Sequence, residues 1–383
     1  MIVDPIRGEL HPTRRNVLVA GGVLLASSLT PPSRAFAQNQ PQRKAGEKGD
    51  RTVGLAIVGI GTLSMNQILP GLAKTKHCFA AALVSGHPDK AKAQCEKHGI
   101  DPKNIYSYEN YEAVKDNPAV QAVYVVLPNA MHAEYTVRAA KVGKHVLTEK
   151  PMEVSSAKCR EMIEACRAAG KKLMVAYRLR YEPNNQRMIE MCRKQQYGPL
   201  RLISANNTQN TNAPNIRLSK KTGGGPVGDV GVYCINACRY LTGEEPVEVV
   251  AMQTKPANDP RFEEVPASVT FQLRFPSGVL AHCACGFDET SCRDFRVIAK
   301  DGFYGLDPAY DYHGIRGYVN TNKGREDLKA PDINQFAAEM DHMAQCVLDD
   351  KQPLTPGEEG LADMKVIAAI DASIEGGKVV RIG

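Results

Sequence analysis

Val53-Gly54-Leu55-Ala56-Ile57-Val58-Gly59-Ile60-Gly61-Thr62-Leu63-Ser64 is the stretch whose reading decides the fold. A short apolar run rich in β-branched residues ends in a pair of glycines. Polar Thr62, Ser64 and Asn66 follow, and Ile68, Leu69 and Leu72 then recur at helical spacing. That pattern predicts a strand, a tight turn and a helix. Gly59 lets the chain turn sharply. Gly61, with Thr62 and Leu63 after it, offers bare backbone N–H groups to a pyrophosphate at the positive end of the helix. The third position of such a fingerprint is usually Gly or Ala; here it is Ser64. Taken alone, a G-x-G is also an ordinary strand-ending turn, and the residues on either side decide between the two readings.

Working outward, residues 79–84 (Phe-Ala-Ala-Ala-Leu-Val) read as the second strand. A site for NAD places Asp or Glu at its end, to bond the ribose 2′-hydroxyl. This chain has Ser85-Gly86-His87 there, with Lys90 opening the next helix. A hydroxyl and a cation with no carboxylate suit the 2′-phosphate of NADP, although Lys90 also reads as a solvated helix residue. Residues 120–127 form a nearly continuous apolar strand, as in a buried parallel sheet. Leu127-Pro128-Asn129 and His132 follow at its carboxyl end, where open α/β sheets bind ligands. A helix over 132–142 leads to a strand over 145–148, which ends in Glu149-Lys150-Pro151. A helix capped by Ser155 or Ser156 and a strand over 172–177 complete a Rossmann-type α/β unit, a doubly wound parallel sheet over 53–177.

The periodicity then changes. After a helix over 182–195, strand character appears at 200–207, 247–254, 268–275 and 279–287, with Pro276-Ser277-Gly278 as a hairpin turn. Segments 296–299 and 302–306 continue the sheet. We read 178–383 as an α+β domain with an open, mainly antiparallel sheet. Helices over 333–348 and 358–374 are expected to pack back on the first domain.

The first residues differ from the rest. Thr13-Arg14-Arg15-Asn16 is a twin-arginine pair before a mildly apolar run, and Ala35-Phe36-Ala37 offers a small-x-small cleavage site. We read 1–37 as a twin-arginine signal cleaved after Ala37, against the alternative of a chance Arg-Arg in a disordered terminus. The expectation is export, already folded, to the periplasm, with no stable membrane anchor. Residues 38–52 read as a polar arm. Loss of 1–37 removes four arginines against Asp4 and Glu9, so the formal charge falls from +6 to +4. That modest charge, without a basic tract, argues against a nucleic-acid partner. Eleven cysteines cannot all pair and show no zinc spacing, so most read as small buried hydrophobes and no metal site is expected.

The motifs together resemble a known family. They are Val58-Gly59-Ile60-Gly61, Asn66-Gln67-Ile68-Leu69-Pro70-Gly71, Leu83-Val84-Ser85-Gly86, Leu127-Pro128-Asn129 with His132, and Glu149-Lys150-Pro151-Met152. Tyr177-Arg178 with Tyr181, Gly223-Gly224-Gly225, and Asp229-Val230-Gly231-Val232-Tyr233 extend them. In order and spacing the chain is similar to the Gfo/Idh/MocA oxidoreductases, and within them to the glucose–fructose oxidoreductase type. The resemblance implies a homo-oligomer, a dimer or tetramer, that binds NADP tightly. It also implies sugar substrates and hydride transfer from an aldose C1 to the cofactor and on to a second sugar, in a ping-pong cycle.

Removing hydride from carbon requires a group that takes the proton from oxygen. The family pattern gives that role to Tyr233, one helical turn after Asp229, with Lys150 as the neighbouring cation. It also places Leu127, Pro128, Asn129, His132, Glu149, Lys150 and Arg178 at the cofactor. Arg178 and Tyr181 either line the sugar pocket or, for the arginine, pair with a carboxylate. The chain departs from the type in having no Trp, with Asn215-Ile216-Arg217-Leu218 before the glycine run, and in its short polar arm. Other readings are a sugar dehydrogenase that exchanges its NADP, an exported NAD-dependent glycosidase, and a non-catalytic sugar- or nucleotide-binding protein.

Overall fold

The computed structural model describes residues 43–383. The twin-arginine leader, its cleavage site and the start of the arm lie outside the described residues. The opening stretch forms β1 (Val53–Val58). Around it stand β2 (Cys78–Val84), β3 (Ile105–Tyr106), β4 (Ala122–Val125), β5 (His145–Glu149) and β6 (Leu173–Ala176). All pair in parallel, in the order β3-β2-β1-β4-β5-β6. β1, β2 and β4 are buried along their whole length, because helices cover both faces. Alternation along β1 sorts its side chains. Ala56 and Val58 join the core under α3 (His132–Lys141) and α4 (Ser156–Ala168), while Leu55 and Ile57 join the opposite one. That second core is closed by α1 (Leu69–Leu72), α2 (Pro88–His98) and the late helix α7 (Gln335–Leu348), through Phe336, Met340, Met343 and Ala344. The expected return of this helix is therefore observed. Strand order reverses between β2-β1 and β4, which opens a crevice at the carboxyl ends of the strands.

The second sheet has nine strands, in the order β14-β13-β12-β11-β7-β10-β9-β8-β15. They are β7 (Leu200–Asn210), β8 (Glu248–Thr254), β9 (Ser268–Arg274), β10 (Leu280–Gly286), β11 (Asp288–Ala299), β12 (Gly302–Leu306), β13 (Gly317–Thr321), β14 (Gly324–Leu328) and β15 (Val380–Arg381). Its pairs are antiparallel except β7 with β10. The first half of β11, and β13, β14 and β15, were not legible in the sequence. Their residues are polar or few, and β14 and β15 stand at the two edges of the sheet, where little hydrophobic patterning is needed. On the inner face, Val249, Ala251, Phe271, Leu273, Cys283 and Cys285 are buried with α6 (Val232–Thr242) and α8 (Gly357–Gly376). Between β6 and β7 runs α5 (Pro183–Arg193).

All eleven cysteines are free and ten are buried, as expected of small hydrophobes; Cys292 alone is exposed. Residues 43–52, read as an arm, dock on the first sheet. Ala45 is buried and its carbonyl accepts from Ala80 N at 2.7 Å, while Arg43 caps the carbonyl of Thr75 at 2.8 Å.

Candidate active site

The crevice is a cleft of about 850 Å³ at the carboxyl edge of the first sheet. β1 delivers Gly59 into it with φ +95°, and a Cβ there would lie 2.3 Å from the Val126 carbonyl oxygen, so the turn admits only glycine. A Cβ on Gly61 would meet nothing within 4 Å. Its bare backbone faces the cleft together with Thr62 and Leu63. The chain then enters a π-helical turn, Ser64–Ile68, that runs into α1. Buried Ser64 donates its hydroxyl to the Gly59 carbonyl, so this small residue ties the helix to the turn that Gly59 makes. At the end of β2, Ser85 and Lys90 line the cleft, and Ser85 Oγ accepts from His87 N at 3.0 Å. Among the described residues, the only carboxyls lining the cleft, Glu149 and Asp229, belong to its other end. Open backbone at a helix start, with a hydroxyl and a cation where an acid would repel phosphate, fits a dinucleotide carrying a 2′-phosphate.

At the other end, the cis Lys150–Pro151 loop after β5 faces a π-helical turn, Val227–Gly231, and α6. Lys150 Nζ donates to the Asp229 carbonyl at 2.7 Å and to Asp229 Oδ1 at 3.3 Å. It also lies 4.6 Å from the centre of the Tyr233 ring. Arg178, set by a one-turn helix (Arg178–Tyr181) after β6, reaches the Tyr233 hydroxyl with Nη2 at 3.4 Å. Two cations therefore bracket one phenol, Lys150 on its face and Arg178 at its oxygen. Burial works against the charge on Lys150, yet Tyr233, Asp229 and Glu149 hold its pKa above the ordinary lysine value. Asp229 is also penalised by burial, but Lys150 and Arg217 bring its pKa below the usual carboxylate value; Arg217 Nε donates to Oδ2 at 2.6 Å.

Behind this wall, Tyr124 donates to Glu149 Oε1 at 2.7 Å and stands 3.2 Å from Glu339 Oε1 on α7. One phenolic proton cannot serve two buried carboxylates. Glu339 is pushed well above the usual range by burial and by the charge of Glu149.

Two family models cover most of the folded chain. The oxidoreductase family model with an NAD-binding Rossmann fold matches residues 53–177, and the GFO/IDH/MocA C-terminal domain model matches residues 185–304. The chain belongs to the Gfo/Idh/MocA oxidoreductase family. Among solved structures it resembles aldose–aldose oxidoreductase from Caulobacter crescentus, complexed with glycerol, with 39% identity and a TM-score of 0.84 over 86% of this chain and all of that one. It is also 29% identical to an NADP-dependent D-xylose 1-dehydrogenase of Haloarcula marismortui, over 87% of this chain and 94% of that protein. A 3-ketoreductase from Actinomadura kijaniata, solved with NADP, shares the fold at 24% identity and a TM-score of 0.76.

Most residues that the Gfo/Idh/MocA motifs pointed to do meet in this cleft: Gly59, Gly61, Thr62, Leu63, Ser85, Lys90, Leu127, Pro128, Asn129, Glu149, Lys150, Arg178, Asp229 and Tyr233. Three do not. Tyr181 points into the core beneath β6, where its hydroxyl pairs with Thr355 Oγ1 at 3.0 Å, so it cannot touch a sugar in the cleft. His132 is fully buried behind the cleft, its ring nitrogens on the carbonyls of Pro151 (3.0 Å) and Leu127 (2.9 Å). Burial lowers its pKa and favours the neutral ring, which donates to one of these carbonyls, and the side chain does not line the cleft. Gly86 stands beneath the Tyr108 ring, 3.1 Å from where its Cβ would be, and it is Tyr108 that faces the cleft. Arg178 lines the cleft, and among the described residues its partners are Gln335, two carbonyls and Tyr233, so the alternative of a carboxylate pair is not what the structure shows.

The sequence reading missed Tyr312 and Phe336 as lining residues, and Arg217 as the partner of Asp229. Tyr312 stacks on Arg178 at 4.6 Å from a loop with no motif, so nothing local marked it. Arg217 did have a signal, in the replaced segment before the glycine run.

Proposed function

We propose that this protein is an NADP-containing sugar oxidoreductase of the periplasm. In this reading it takes hydride from C1 of an aldose and returns it to a second sugar in a ping-pong cycle. The observation that carries the reading is the Lys150–Tyr233–Arg178 cluster at one end of a cleft whose other end suits a 2′-phosphate. The aldose–aldose oxidoreductase and xylose dehydrogenase among its relatives support the substrate class. Bound NADP supplies the hydride acceptor and donor. Tyr233 takes the proton from the sugar hydroxyl as the carbon is oxidised and gives it back to the product of reduction. Lys150, held by Asp229, steadies the reacting oxygen, and Arg178 holds the Tyr233 hydroxyl in place. The exported-leader reading supports the closed cycle, because a cofactor regenerated in place needs no supply outside the cytoplasm.

The test uses purified mature protein with no cofactor added. Denaturation should release about one NADP(H) per chain, and glucose should reduce the bound cofactor in the native protein. Tyr233→Phe should keep the cofactor and lower turnover about 10²–10⁴-fold. An empty protein that binds added NADP weakly would replace the ping-pong cycle with an exchangeable dehydrogenase.

A further inference from the structure

We propose that Arg217 is a substrate-recognising residue and that the cleft prefers a sugar carrying an anionic group, a carboxylate or phosphate, away from the reacting carbon. The inference rests on the proposed function, which places a sugar at this end of the cleft.

Three cations face that end; Arg178 has both outer nitrogens engaged, and Lys150 keeps one of its three N–H groups for the reacting oxygen. Lys150 Nζ is bonded to the Asp229 carbonyl and Oδ1 and lies over the Tyr233 ring. Arg178 is buried, with Nη1 on Gln335 and the Asp311 carbonyl, and Nη2 on the Tyr310 carbonyl and the Tyr233 hydroxyl. Arg217 differs. Its Nε donates to Asp229 Oδ2 at 2.6 Å, but among the described residues Nη1 and Nη2 donate to nothing. Its side chain is 44% exposed and lines the cleft.

The residue is nonetheless firmly built in. Its N–H donates to Asn215 Oδ1 at 3.1 Å, and its carbonyl accepts from Gly225 N at 2.9 Å. A Cβ on Gly224 would fall 2.3 Å from that carbonyl oxygen, so the glycine run is what allows the loop to fold against Arg217. The same run is fastened to the cofactor end, where Asn129 Nδ2 donates to the Gly223 carbonyl at 2.9 Å.

Anchored through Nε, a guanidinium presents its two outer nitrogens as a planar fork of charged donors, which matches two oxygens of a carboxylate or phosphate. Neutralising Asp229 does not account for it, since Lys150 already pairs with that carboxylate. Three cations face only Glu149 and Asp229 among the lining carboxyls, so this end of the cleft has positive charge to spare. The two oxygens of Asp229 divide between Lys150 and Arg217. One sugar with its reacting oxygen at Lys150 can therefore reach the fork with a substituent.

Titration calorimetry of the NADP-loaded full chain with D-glucose, D-glucuronate and D-glucose 6-phosphate tests this. At least one anionic sugar should bind about tenfold or more tightly than glucose, with the advantage shrinking as salt rises. Arg217→Gln should abolish the advantage and Arg217→Lys should keep part of it; whichever anion gains names the group that is read. Equal binding of all three sugars to the wild type, or an equal loss for all three in Arg217→Gln, would overturn the proposal and leave Arg217 as a partner of Asp229 only. Cofactor reduction, followed by absorbance in the same samples, reports separately on the oxidoreductase reading. If no sugar reduced NADP, that reading would fall while the binding ratios still decided the role of Arg217.

Discussion

Gly59 and Gly61 stand two residues apart and answer different demands, although the motif treats them alike. Gly59 has a positive φ and the Val126 carbonyl against it, so its requirement lies in the fold. Gly61 has open space, so its requirement lies in whatever enters the cleft. Gly59→Ala should cost about 2 kcal/mol or more of stability, seen as a clearly lower Tm. Gly61→Ala should leave stability within about 0.5 kcal/mol of wild type and weaken NADP binding about tenfold or more. Equal effects of both variants on Tm would remove the distinction. Both glycines were legible in the sequence, but not their separate reasons, because Val126 approaches Gly59 only once β4 lies beside β1.

At the scale of the element, α7 serves two ends. One stripe, Phe336, Met340, Met343 and Ala344, closes a core of the first domain. Gln335 and Glu339 point instead toward Arg178 and Tyr124. Glu339 carries a pH dependence. Its pKa in the folded protein lies well above that of the unfolded chain, through burial first and then the charge of Glu149. The folded state therefore holds the extra proton as pH rises above about 4.3, and the stabilisation present below that pH is progressively lost. Glu339→Gln copies the protonated acid without this linkage. Its Tm relative to wild type should rise between about pH 5 and pH 8. A difference that stays constant with pH would mean that folding does not raise the pKa of Glu339.

At the scale of the whole molecule, the second sheet keeps one face outward. Met252 is 74% exposed there, with Val250 and Leu280 also open to solvent. We expect copies of this chain to cover that face. Light scattering of the mature protein should then give a multiple of the chain mass, and Met252→Glu should shift it toward the monomer. A wild-type monomer at micromolar concentration would refute that arrangement. Among the described residues no helix is long and apolar enough to cross a membrane, so helical spans take no part in this expectation.

The sequence by itself determined the local and periodic features of this protein. Apolar runs specified β1, β2 and β4, the G-x-G specified the turn, and the missing acid after β2 specified the character of the phosphate end, because each depends on neighbours in the chain. The ordered motifs carried the family and most of the cleft, including Lys150, Asp229 and Tyr233. Only the tertiary structure decided which way a side chain points when its residue fits two environments. Tyr181 sits one helical turn from Arg178, yet it goes to Thr355 while Arg178 goes to Tyr233. His132 sits in a ligand-side motif but is claimed by two carbonyls. Tyr312, Phe336 and Glu339 come from segments more than a hundred residues after Lys150. Phe336 and Glu339 reach this end through α7 folding back over the first sheet, and Tyr312 through the loop after β12, long-range packing that no local pattern encodes.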